Sequence, residues 1–222
     1  MVHAPLLMYP KKSHRKIVRI PSVSKELAEF FGIMIGDGGI NNEWQANVTL
    51  NTDADADYVL FVSELMKKLF NVSPAIRPRL TRRATIVSLA STTIVDFLVK
   101  NGLSRGNKLM QGLRIPRWIL AQKTYKIACV RGLVDTDGCL VLHKHKVTGG
   151  TYKNLYLSFS SGSPELLGQV AQIFIDLGLM PHLASNNREI YLYRLEDVQR
   201  YLRIIGTSNE RIRRVYKKWR DG

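Results

Sequence analysis

The chain has 222 residues, enough for one large domain or two small ones, and 45% of them are hydrophobic, which excludes wholesale disorder. Lys and Arg outnumber Asp and Glu by 33 to 18, and the resulting net charge of +15 divides into +8 for residues 1–118 and +7 for residues 119–222. An excess spread along the whole chain points to a polyanion such as nucleic acid, touched by both halves, while no run of about 18 apolar residues offers a membrane span.

Cys129 and Cys139 form no CxxC pair and indicate no disulfide framework, so a reducing setting is expected, cytoplasmic or the matrix of an organelle. Residues 1–20 lack the apolar centre of a signal peptide. With Lys11, Lys12, Arg15, Lys16 and Arg19 they read as a flexible basic arm. Phe30 to Gly38 is apolar, helix-length, and ends in Asp37-Gly38. A turn at Asn41-Asn42 separates two short strand patterns, the second running from Gln45 to Leu50. Residues 54–70 read as a helix with Tyr58, Phe61, Leu65 and Phe70 on one face. A second hairpin over 75–90 and a helix over 92–101 follow. Ile115-Pro116-Arg117-Trp118 is a connector, with Trp118, Ile119 and Leu120 expected to pack on the core.

Val130 to Gly138 is again apolar and ends in Asp137-Gly138. Strand-like residues 139–147 meet a turn at Thr148-Gly149-Gly150, and a strand from Tyr152 to Ser160 alternates Leu155, Leu157 and Phe159. Ser163-Pro164-Glu165 opens a helix, with Pro in the first turn. Ser185-Asn186-Asn187 bends a hairpin within 181–194, and 195–205 forms another helix.

Taken together, the chain repeats itself. The two apolar runs lie one hundred residues apart, each with Gly in third place and Asp-Gly at the end, and each begins the order helix–strand–strand–helix–strand–strand–helix. Even the ends correspond: Gly102-Leu103-Ser104 before Lys108 matches Gly206-Thr207-Ser208 before Arg211. The expected organisation is a basic arm (1–20), a first repeat (21–115), a linker (116–123) and a second repeat (124–222). The fold class is α+β.

Gly32 and Gly36 share one helix face, as do Gly132 and Thr136, and small residues at that spacing let two helix backbones approach. Asp37 and Asp137 end their helices before glycines suited to a C-cap. Two carboxylates brought to two negative helix termini repel each other. The arrangement makes sense if a cation sits there or one acid is protonated, and a hard divalent ion, above all Mg²⁺, fits oxygen ligands. The bland alternative is a pair of capping turns in a bundle; the equivalence of the acids argues against it. Asp135 stands two residues earlier, about 200° around the helix, and is expected outside the site.

The two runs and the order that follows them resemble the single-chain, two-motif form of the LAGLIDADG homing endonucleases, over roughly residues 24–215. Phe31 and Ile35 depart from the pattern. The resemblance implies two αββαββα units about a pseudo-twofold axis, motif helices packed together, and two antiparallel sheets forming a saddle on double-stranded DNA. It implies metal-assisted phosphodiester hydrolysis at a specific site, with Asp37 and Asp137 as ligands and the carbonyls of Gly36 and Thr136 as further ligands. Each half would cut one strand, with Mg²⁺ as cofactor, Mn²⁺ as a substitute, and Ca²⁺ supporting binding without efficient cleavage. Lys108 and Arg211 are candidates for basic residues near the scissile phosphates. Asn51, Thr52, Ser160 and Ser161 occupy places where water is organised. An intron-encoded monomer is expected.

Strand alternation then nominates the DNA-reading side chains, since an antiparallel ribbon fits the major groove. In the first half these are Gln45, Asn47 and Thr49, with Arg77, Arg79, Arg82 and Arg83 on the second hairpin. In the second half alternation turns Asn154, Tyr156 and Ser158 outward, while His143, Lys144, His145, Lys146 and Lys153 line the first hairpin and Arg188, Tyr191 and Tyr193 the second. His143 and His145 alone make a poor metal site. Two alternatives remain: an intron RNA maturase, an activity the resemblance also implies, and a non-catalytic DNA-binding regulator on the same scaffold. The start at Met1 makes an intein unexpected.

Overall fold

The computed structural model describes residues 7–8, 17–79, 82–147 and 150–221. After a short pairing of Leu7–Met8 (β1) with Val18–Arg19 (β2), the first repeat runs α1 (Lys25–Gly36), β3 (Gly38–Gly39), β4 (Gln45–Asn51), α2 (Ala56–Phe70), β5 (Ala75–Arg79), β6 (Ala84–Ala90) and α3 (Thr92–Lys100). A four-residue helix, α4 (Arg117–Leu120), precedes the second repeat: α5 (Lys123–Asp137), β7 (Gly138–Val147), β8 (Gly150–Ser160), α6 (Pro164–Asp176), β9 (His182–Leu183), β10 (Glu189–Leu192) and α7 (Leu195–Ile204). A final helix, α8 (Glu210–Asp221), follows.

The expected order is present in both halves, and the sheets share one topology. The first is β3-β4-β6-β5 and the second β7-β8-β10-β9, every neighbouring pair antiparallel. Val48, Leu50, Val87 and Leu89 turn one face of the first sheet inward, and Leu155, Leu157, Phe159, Ile190 and Leu192 do the same in the second. Helices cover these inner faces, and α1 and α5 lie between the halves as buried as any strand. Serines start the helices locally: the hydroxyls of Ser24, Ser91 and Ser163 accept from Leu27, Ile94 and Leu166 N–H.

Two stretches of the expected arm pair with each other. β2 pairs with β1, and Val18 is fully buried, because it packs near α2. Lys11, Lys12, Arg15 and Lys16 lie outside the described residues. Trp118 packs edge-on against Phe31 at 5.2 Å and donates to the Asn101 carbonyl, so the large Phe31 is accommodated by the linker. Helix α8 is an addition to the repeat order. Its Ile212, Val215, Tyr216 and Trp219 recur at helical spacing against the core, while its other faces are charged.

Candidate active site

Helices α1 and α5 cross backbone to backbone. A Cβ on Gly32 would overlap the Cys129 carbonyl oxygen, and one on Gly132 would overlap the Glu29 carbonyl and stand 2.9 Å from the Ile33 nitrogen. At the C-terminal end a Cβ on Gly36 would lie 2.9 Å from the Thr136 Cβ and 3.1 Å from Asp137 Oδ2. The helix ends therefore converge and bring Asp37 and Asp137 to one place. The following glycines are demanded by space, not by left-handed caps. Neither Gly38 nor Gly138 has a positive φ, because each chain turns straight from helix into strand. A Cβ there would press to 2.6 Å from the Met34 carbonyl oxygen or 2.5 Å from that of Val134.

Burial pushes the Asp37 carboxyl up to about 6 against the Lys108 ammonium, with Asp55 adding to the rise and Arg211 opposing it. Burial, reinforced by the charge of Asp37 and opposed by Lys108, pushes Asp137 up to about 7. Each acid is thus partly buried and, among the described residues, its carboxylate gains no compensating hydrogen bond, the state in which a divalent cation is a favourable partner. Among the described residues no three His, Cys, Asp or Glu side chains converge on a metal position. A cation held by the two carboxylates would complete its shell from backbone, water or substrate oxygens, which suits Mg²⁺ and Ca²⁺.

Lys108 Nζ donates to the carbonyls of Ile35 (2.7 Å), Gly38 (2.9 Å) and Gly36. Burial brings its pKa down, and Asp137 and Asp37 hold it up. Arg211 stands in the equivalent place on the other helix end, donating at 3.2 Å to the carbonyls of Gly138 and of Asp135. The backbone positions correspond one hundred residues apart. The Gly36 carbonyl is thus already engaged by Lys108, and a cation there would share it. The Thr136 hydroxyl bonds back to its own helix, at 3.0 Å to Gly132 O and 2.9 Å to Leu133 O.

Of the four polar residues at the strand ends, Asn51 and Ser161 shape turns, while Thr52 and Ser160 bond across to Thr85 and Glu189. Asn51 accepts from Asp53 and Ala54 N–H at 2.9 Å, Thr52 meets the Thr85 hydroxyl at 3.0 Å, and Ser161 accepts from Ser163 N–H. Ser160 and Ser161 also line an open groove with Asp137, Lys108 and Arg188.

The outer sheet faces differ in chemistry. Register places Gln45, Asn47 and Thr49 beside Ala90, Ser88 and Ile86, with Arg77 and Arg79 on the same face. Arg82 and Arg83 are exposed in the turn between β5 and β6. In the second sheet Asn154, Tyr156 and Ser158 share the outer face with His143, Val141 and Cys139. The Tyr191 and Tyr193 rings stack at 4.9 Å, with Tyr156 and His182 alongside. Lys153 belongs to the opposite face, because it pairs with Lys144 in the same alternation as Leu155, and it lines a pocket with Tyr193 and Trp219. Arg188 follows the left-handed Asn187 in the β9–β10 turn. The side chain of His145 lies outside the described residues.

Sequence reasoning missed two acids' surroundings. Asp55 accepts from Asn209 Nδ2 at 2.8 Å and Arg211 Nε at 3.1 Å. Asp135 points away from the acid pair, as its helical phase requires, and is only 1% exposed. It accepts from the Thr207 hydroxyl and, at 2.7 Å, from Ser208 N–H. Burial pushes it up to about 7 against those two hydrogen bonds. Arg131 donates to the Ile205 carbonyl and pairs with the buried Glu29 at 3.1 Å, so it spans the helix interface at its edge.

Residues 124–220 match the family model of the LAGLIDADG-like domain. A curated relative, the replication factor C small subunit of Methanocaldococcus jannaschii, is 28% identical over 197 residues, 85% of this chain. The chain spans about a tenth of that protein's length. Among solved structures, I-SmaMI bound to an uncleaved DNA target with calcium aligns with a TM-score of 0.59 at 13% identity, covering 90% of each chain. I-DmoI in complex with DNA and Mn aligns at 0.53 and 18%, covering 84% of this chain and 99% of that one. The I-LtrWI LAGLIDADG homing endonuclease bound to target DNA aligns at 0.58 and 9%, covering 87% and 89%. The second repeat thus matches the LAGLIDADG-like domain model, and the chain as a whole shares the fold of the solved LAGLIDADG homing endonucleases.

Proposed function

We propose that the protein is a site-specific DNA endonuclease that hydrolyses one phosphodiester in each strand and so makes a double-strand break. The observation that carries this reading is the convergence of Asp37 and Asp137, both with burial-raised pKa values, at a glycine-mediated helix crossing between two sheets. A regulator has no use for two desolvated acids held together at a cost to stability. Asp37 and Asp137 would hold divalent cations. Such ions supply Lewis acidity for the attacking and leaving oxygens.

The chain's own residues do the rest. Lys108 and Arg211 place positive charge at the two helix ends, where phosphate oxygens carry developing charge. Gln45, Asn47, Thr49, Arg77 and Arg79 on one face, and Asn154, Tyr156, Ser158 and Tyr191 on the other, read base edges in the major groove. The test is cleavage of a randomised duplex library by the purified protein. Mg²⁺ should yield a defined set of products, Mn²⁺ should substitute, Ca²⁺ should support binding with little cutting, and excess EDTA should abolish cutting. Cleavage undiminished in EDTA, or specific binding with no cleavage in Mg²⁺ or Mn²⁺, overturns the reading.

A further inference from the structure

The residue before α2 is a good capping type that does not cap its own helix. Ser24, Ser91 and Ser163 cap their own helices, but Asp55 makes no bond to the amides of α2. An N-cap Asp ordinarily satisfies those amides. Its carboxylate instead crosses to the second repeat, where Asn209 Nδ2 and Arg211 Nε donate to the same oxygen, Oδ1. The side chains of Asp55 and Arg211 are 13% and 26% exposed, so water screens the pair little. Arg211 uses one N–H on each nitrogen: Nε to Asp55, Nη1 to Gly138 and Nη2 to Asp135. One N–H on each terminal nitrogen is left to point at a phosphate, the fork geometry that favours bidentate contact.

The other half of the molecule lacks this brace. Ser163, in the place equivalent to Asp55, caps α6 and donates to the Leu113 carbonyl at 2.7 Å. Lys108 is held by backbone carbonyls, and among the described residues no carboxylate stands within 4 Å of it. We propose that Asp55 is a positioning residue that sets the Arg211 guanidinium from across the repeat interface, so that only one of the two strand cleavages depends on it. This rests on the nuclease reading above.

The test uses a duplex cleaved by the unaltered protein, with the two strands carrying different end labels, in Mg²⁺. Asp55→Ala should slow one strand by about tenfold or more, the scale of a misplaced catalytic group, and leave the other near its original rate. The slowed strand should be the one slowed by Arg211→Lys, and Asp55→Glu should recover part of the rate. In ¹⁵N–¹H spectra the Arg211 Nε–H signal should move and exchange faster in Asp55→Ala, which a remote loss of stability does not cause. Equal slowing of both strands, no slowing, or an unmoved Nε–H signal overturns the proposal while the nuclease reading stands. If the unaltered protein cuts no member of a randomised library in Mg²⁺ or Mn²⁺, both fall.

Discussion

At the scale of single residues, Asp37 and Asp137, the acids proposed to carry the chemistry, also carry a stability cost. Their folded pKa values, about 6 and about 7, lie above the unfolded value of about 3.9. The folded state therefore binds more protons between those values, and stability falls as pH rises from about 4 through about 7. At pH 8 in chelator, Asp137→Asn should raise the melting temperature, by about 2–4 °C for each kcal/mol relieved in a chain of this size. At pH 4 the gain should vanish, and Mg²⁺ should produce a similar rise in the unaltered protein only. Both Asp37→Asn and Asp137→Asn should abolish double-strand cleavage while leaving the affinity measured in Ca²⁺ nearly unchanged. Asp135→Asn belongs to another class. It keeps an acceptor but disturbs the two bonds that hold Thr207 and Ser208, and should cost about 1–3 kcal/mol in urea denaturation, where the alternation of the helix alone suggested a bystander. The pairing of Asp37 with Asp137 was legible because the repeat marks both positions. Asp55 was not, because the run Asp53-Ala54-Asp55-Ala56-Asp57 offers three equivalent-looking acids, and only the fold shows which one meets Arg211.

At the scale of elements, the crossing of α1 and α5 sets the requirement for glycine. Gly32→Ala or Gly132→Ala puts a methyl group into backbone of the facing helix, which cannot yield as a flexible side chain would. Each should destabilise by about 1–3 kcal/mol or prevent folding. Gly168→Ala is the control: it is an exposed position on α6 with nothing within 4 Å of the added methyl, and should stabilise by about 0.5–1 kcal/mol. Thermal melts of the three variants check the contrast. The strand and helix order was readable from alternation and from serine and proline starts. Helix α8 was not separated from the end of the repeat, since its apolar positions Ile212, Val215, Tyr216 and Trp219 are outnumbered by charges. Lys153 shows the limit of composition on a hairpin. Its charge suggested the DNA face, but the register that pairs it with Lys144 fixes the other.

At the scale of the whole molecule, the even division of charge predicts that phosphates are contacted from both halves. Affinity should fall by about 0.9 log unit per log unit of salt for each phosphate neutralised. Removing one exposed Arg from either half, Arg77→Ala or Arg188→Ala, should lower that slope by about one, as read from binding isotherms at several salt concentrations. The repeats are also stitched together by bonds that run across the interface. Glu29 in α1 takes Arg131 of α5 and, at 2.6 Å, the Ser208 hydroxyl. Gln169 of α6 accepts the Ile115 N–H at 2.7 Å, and Asn209 reaches back to Asp55. Severed in the connector after Leu120, the polypeptide should yield two fragments that are inactive and aggregation-prone apart, each exposing one face of the helix crossing. Mixed during refolding, they should recover cleavage with a maximum at equal proportions, which a titration of one against the other would reveal. The same stitching that completes the site would then serve as the recognition code of a split enzyme, switched on only where both pieces are made.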